Sequence, residues 1–214
     1  KYGVSLRQVL EKRPRYKNVS TILRFMKNFL QTIWCVHANN YAHLDLKPGN
    51  ILFKNKFSTS TKTIDDLDYA LIDFGAAHIF RTDNSKKLST QMASAAFSPP
   101  ELLKFRFGKK SDVWAFGVIS YLVCIRCFFF EANASKIFMG TDPQKILANI
   151  HHALSNLRTS MTPHYLNTKQ TKKYLGVLET RFSVLIDFFT ILFVEEKKRP
   201  TVKELLEHPL FKLV

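Results

Sequence analysis

The chain has 214 residues, of which 46% are apolar. That is enough for one domain with a core of its own, and it excludes an intrinsically disordered chain. A net charge of +15 favours acidic partners such as nucleic acid, acidic proteins or an anionic membrane surface.

The first residues, Lys1-Tyr2-Gly3-Val4, read as the end of an extended segment. Ser5 is placed to cap the helix that Leu6, Val9 and Leu10 begin. From Val19 to His37 the apolar residues Ile22, Phe25, Met26, Phe29, Leu30, Ile33 and Trp34 fall at helical spacing, which predicts a long buried helix. His43-Leu44-Asp45-Leu46-Lys47-Pro48-Gly49-Asn50 then sets a carboxylate, an ammonium and an amide at fixed offsets around a turn made by Pro48 and Gly49. Ile51-Leu52-Phe53 and Tyr69-Ala70-Leu71-Ile72 are short strands that pair as a hairpin. The stretch between them, Lys54 to Asp68, is longer than a tight turn and is expected to be mobile.

Asp73-Phe74-Gly75 follows the second strand, and Gly75 is expected to permit a backbone turn there. Farther on, Ser111-Asp112-Val113-Trp114 opens a helix that runs apolar on all sides to Phe130, as a buried helix does. Ser111 or Asp112 can cap it. Cys124 and Cys127 lie within that apolar stretch without a second pair, so core packing is expected rather than metal or redox use. Cys35 is the third cysteine, and an odd, scattered set does not build a disulfide scaffold. A reducing, intracellular compartment, cytoplasm or nucleus, follows. Phe128 to Lys173 is the least legible part, with a helix expected near Asp142 to Leu157. Phe182 to Phe193 reads as an amphipathic helix. Basic residues are scattered, with short clusters such as Lys12-Arg13-Pro14-Arg15 and Lys197-Lys198-Arg199, and no nucleic-acid-binding motif accompanies them. No apolar run reaches the roughly 20 residues of a membrane span, and no signal peptide is evident.

Several of these stretches resemble protein kinases. The run from His43 to Asn50 resembles the catalytic loop, H-R-D-x-x-x-x-N, with Asp45 and Asn50 on the Asp and Asn positions. Asp73-Phe74-Gly75 resembles the metal-binding D-F-G. Ser98-Pro99-Pro100-Glu101 resembles A-P-E, which makes Ala76 to Ser98 an activation segment. Arg199-Pro200-Thr201 and the run Glu204 to Phe211 resemble the last helices of Ser/Thr kinase domains. The resemblance implies a kinase-like C-terminal lobe over residues 1–214, mainly α with a small β-hairpin, starting at the hinge. It implies transfer of the γ-phosphoryl group of ATP, with Mg²⁺, to Ser/Thr hydroxyls of a protein substrate. Asp45 would take the hydroxyl proton. Lys47 would neutralise the transferred phosphoryl group and contact ATP, and a lysine there resembles Ser/Thr kinases. Asn50 and Asp73 would ligate Mg²⁺, and Leu52 would pack beneath the adenine. The carboxylate of Asp112 would accept backbone N–H groups of the catalytic loop, Glu101 and Arg199 would form an ion pair, and His37 would pack rather than react.

The departures carry information of their own. Leu44 replaces the Arg of H-R-D, which in kinases receives a phosphate on the activation segment. Thr82, Ser85, Ser89 and Thr90 therefore lose the usual receptor, and activity without phosphorylation is expected. Gly49 stands where many basophilic kinases have Glu, so substrates should be neutral or acidic around the target. Ala93 replaces a Gly, Phe97 a Tyr, and Ser94 keeps the hydroxyl that touches the catalytic Asp. These changes mark a divergent member, of viral or parasite type. The 214 residues hold no G-x-G-x-x-G and no V-A-I-K-like lysine; an N-terminal lobe, if present, lies upstream of Lys1. The alternative is a non-catalytic C-lobe module that binds or mimics kinases. The intact set Asp45, Lys47, Asn50 and Asp73 favours the enzyme.

Overall fold

The computed structural model describes residues 3–11, 19–54, 69–80, 86–87, 95–101, 106–128, 142–160 and 175–213. Ala93, Ser94, the segment residues Thr82, Ser85, Ser89 and Thr90, and nearly all of the stretch from Lys54 to Asp68 lie outside them.

Helices dominate the described residues, and the strands are short. β1 (Val4–Ser5), β3 (Ile51–Phe53) and β4 (Tyr69–Leu71) form an antiparallel sheet in the order β1-β3-β4. Ser5 both ends β1 and caps α1 (Leu6–Glu11): its Oγ accepts from Gln8 N at 3.3 Å, and Gln8 Oε1 accepts from Ser5 N at 2.9 Å. Ile51 and Phe53 enter the core while Leu52, between them, stays half-exposed, the alternation a strand imposes. Tyr69 closes the sheet against α2 (Val19–Ala38), where its hydroxyl meets Thr32 Oγ1 at 2.9 Å. Burial pushes that phenol well above its ordinary range, and the Thr32 bond opposes the shift.

The predicted stripe of α2 is buried as expected, from Ile22 through Phe25, Met26, Phe29 and Leu30 to Ile33. Trp34 is the correction: it is 38% exposed. Four residues past the buried Leu30, it has the spacing of the stripe, yet its surroundings leave it partly open to solvent. α3 (Lys109–Phe128) is the central helix, buried from Ser111 to Tyr121 without a break. Gly117 lets α5 (Leu175–Leu192) approach it, since a Cβ there would lie 3.0 Å from the Phe193 ring. Cys124 is buried in this core, as its reading as a packing residue requires. The side chain of Cys127 is not among those described.

α4 (Pro143–Ser160) begins where Asp142 Oδ1 accepts from Gln144 N at 2.9 Å, close to the expected helix. α5 starts seven residues before the predicted Phe182. α6 (Val202–Leu206) opens with a capping box between Thr201 and Glu204. No described helix is long and apolar enough to cross a membrane.

The ion pair expected between Glu101 and Arg199 is present and buried. Arg199 binds Glu101 with both amino groups, at 2.6 and 3.1 Å, and also donates to the carbonyls of Lys110 and Val194. Its guanidinium lies 4.9 Å from the centroid of the buried Trp114 ring. Arg199→Ala strands the Glu101 carboxylate and should cost about 3–5 kcal/mol. For a chain of this size that is a fall in melting temperature of roughly 6–20 °C. Thermal denaturation followed by circular dichroism checks it, and a shift under about one degree would remove the pair from the fold's supports.

Candidate active site

Two short strand pairs and two helix ends meet at the turn from His43 to Asn50. β2 (Tyr41–Ala42) pairs with β5 (His78–Ile79), with Tyr41 opposite Ile79 and Ala42 opposite His78. The chain then reverses at Leu44, whose φ of 63° is left-handed and costs a leucine about 1–2 kcal/mol. The buried Asp112 carboxylate holds that reversal. Its Oδ1 accepts from Leu44 N and its Oδ2 from His43 N, both at 2.8 Å. His37 Nε2 adds a third bond to Oδ2 at 2.9 Å. His37 is therefore a buried support, as expected, and Asp112 has the loop-holding place that the resemblance implied.

Asp45, Lys47 and Asn50 are brought together. The Lys47 ammonium lies 2.5 Å from Asp45 Oδ2. Asn50 Nδ2 donates to Asp45 O at 2.9 Å and to Asp45 Oδ2 at 3.3 Å. Those bonds orient the amide so that its oxygen faces away from Asp45. Asp45 and Asn50 are buried, while Lys47 is half-exposed.

Asp73 is carried to the same end of the β3–β4 hairpin. Ile72 N–H donates to Asn50 O at 2.9 Å, one step beyond the ladder pair Ile51–Leu71. Asp73 is exposed and left-handed, with φ 63° and ψ 67°. The turn expected at Gly75 is present over Phe74–Ala76, closed by Ala77 N–H donating to Phe74 O at 3.0 Å, and it forms without a positive φ at the glycine. Gly75 also makes room: a Cβ there would come within 3.3 Å of Asp73 Oδ1. Leu52 lies apart, half-buried on the sheet face opposite Ile51 and Phe53.

His43 was not singled out by sequence reasoning, yet it joins the two motifs. Its Nδ1 accepts from Asp45 N at 3.3 Å, which leaves Nε2–H to donate to Ile72 O at 3.0 Å. Its ring packs on Phe74, with centroids 4.6 Å apart. The one available signal was its place two residues before Asp45.

The donors fit a hard divalent cation that brings its own phosphate oxygens. Among the described residues, neither Asn50 Oδ1 nor the Asp73 carboxylate has a protein partner. Two such oxygens suit Mg²⁺, which uses few protein ligands and keeps waters and substrate phosphates. No group of three or more His, Cys, Asp or Glu able to hold a metal occurs among the described residues.

A mainly helical lobe with this small antiparallel sheet has the architecture of a protein kinase C-terminal lobe. The protein kinase domain family model matches residues 2–211, and the chain belongs to that family. It is 30% identical over 201 residues to calcium-dependent protein kinase 6 of Plasmodium berghei, a match covering 94% of this chain and 11% of that protein. It is 36% identical over 104 residues to calcium-dependent protein kinase 4 of Plasmodium falciparum, covering 49% of this chain and 18% of that one. The chain thus spans a small fraction of either relative.

Asp112→Asn keeps the shape but turns an NH₂ toward one of the two backbone amides it serves. Urea unfolding should show a loss of about 1–3 kcal/mol, the cost of a buried donor without an acceptor. An unchanged midpoint would mean that the loop does not depend on this carboxylate.

Proposed function

We propose that these residues are the C-terminal lobe, from the hinge strand onward, of an intracellular Ser/Thr protein kinase. Transfer then takes place in a longer protein that supplies a phosphate-covering loop and a strand lysine, neither of which occurs in this sequence. The observation that carries the reading is the Asp45–Lys47–Asn50 cluster, with Asp73 at the end of the adjoining hairpin.

In that reading the substrate hydroxyl oxygen forms the new bond to the γ-phosphorus as the bond to the departing ADP oxygen breaks. Asp45 orients the hydroxyl and takes its proton. Lys47, already beside Asp45, stabilises negative charge on the transferred group. Asn50 and Asp73 hold Mg²⁺, which supplies charge neutralisation at the phosphates. Leu52, on the outward face of the sheet, offers an apolar floor for the adenine. Lys47 at this position supports Ser/Thr hydroxyls as acceptors.

Asp45→Asn and Asp73→Asn in the complete protein should each lower transfer at least about a hundredfold, with the melting temperature unchanged. Incorporation of radiolabelled phosphate measures it, and near wild-type turnover in either variant removes that residue from the site.

Substrates are neutral or acidic around the target hydroxyl. Gly49 brings no carboxylate to the loop, and the chain carries +15 overall. The space beside Gly49 is open, with nothing within 4 Å of an added Cβ, so Gly49→Glu should fold normally. In a peptide-library screen the wild type should show no strong preference for Arg shortly before the target, and Gly49→Glu should acquire one. A strong Arg preference in the wild type overturns the substrate assignment.

A further inference from the structure

We propose that Phe80 and Phe107 are positioning residues: with Leu44 they form an apolar clamp that holds the catalytic loop to both flanks of the activation segment. The proposal rests on the reading of Asp45 as the group that takes the hydroxyl proton.

Leu44, Ala42, Phe80 and Phe107 make a buried cluster separate from the main core, with Ala76 packed against it. Leu44 is 6% exposed, Phe80 1% and Phe107 2%. Each comes from a different part of the chain. Phe80 follows β5, before the undescribed part of the activation segment, and its N–H donates to Asn40 O at 2.7 Å. Phe107 ends β7 (Arg106–Phe107), which lies beyond Glu101 and pairs with β6 (Lys86–Lys87). A turn closed by Gly108 and Ser111 links Phe107 to Asp112. The stretch from Phe107 to Asp112 therefore meets Leu44 twice: Phe107 shares its buried cluster, and the Asp112 carboxylate takes its N–H.

The clamp occupies the position from which an arginine would reach for a phosphate. A guanidinium placed among Ala42, Phe80 and Phe107 would be desolvated with no acceptor on those side chains, whereas leucine gains from the same burial. Apolar contact needs no charge and no modification, so it holds the flanks of the segment at all times. Asp45 is the next residue. Loosening Leu44 would release the left-handed turn that sets the direction of the Asp45 backbone.

The test uses the complete protein with Phe107→Ala, Phe80→Ala and the conservative Phe107→Leu. Phe107→Ala and Phe80→Ala should each lower kcat about tenfold or more, with KM for ATP within about twofold, and Phe107→Leu should recover most of the loss. Hydrogen exchange should quicken about tenfold or more at the amides of His43 to Leu46, while protection in α2 and α3 is retained. Phosphatase treatment of the wild type should leave turnover within about threefold. Unchanged kcat, protection lost evenly across all helices, or a phosphatase-induced fall of about a hundredfold would each overturn the clamp. Hydrogen exchange reads the clamp even in a protein that transfers no phosphate, so failure of the kinase reading and failure of the clamp are told apart.

Discussion

The Asp112 carboxylate is the constraint on which the site depends. A charge buried to 1% exposure is costly unless its oxygens are satisfied, and three donors satisfy this one. Its position in the first turn of α3 adds the favourable N-terminal end of the helix dipole. Through it the last turn of α2, the exit from β2 and the start of the central helix are fixed relative to one another. The left-handed Leu44 is tolerable only because both flanking amides are held in this way.

Two further devices set the rest of the lobe around that point, and they differ in kind. Glu101 and Arg199 join the segment preceding β7 to the turn before α6 through a two-pronged ion pair, backed by two carbonyls and the Trp114 ring. The side chains of Phe80 and Phe107 are held by apolar burial, beside the backbone bond from Phe80 N–H to Asn40 O. The ion pair has strict geometry, and losing one partner is severe. The apolar contact is less directional and indifferent to charge.

The hairpin side is simpler. Antiparallel pairing of β3 with β4, extended by the Ile72–Asn50 bond, brings the Asn50 and Asp73 positions to one end of a hairpin. The histidine bridge from Asp45 N to Ile72 O ties that end to the turn at Asp45. Short strands suffice because the sheet has only to register two loops, not to form a core.

Much of this was legible in the residues themselves. Spacing of chemically distinct groups survives in a sequence, so Asp45, Lys47, Asn50 and Asp73 could be named, as could the Glu101–Arg199 pair and the helices with strong periodicity. Capping chemistry is equally local, and Ser5 and Thr201 stand where the sequence places them. What a sequence does not carry is the environment of a side chain. Trp34 had the spacing of a core residue and turned to solvent, because burial depends on what packs opposite. Gly75 suggested a turn, which is present, but not that it also makes room for a neighbouring carboxylate. Leu44 read only as a missing arginine. That it is buried between Phe80 and Phe107, 36 and 63 residues farther along the chain, was decided by the tertiary structure, because apolar contact has no sequence spacing of its own.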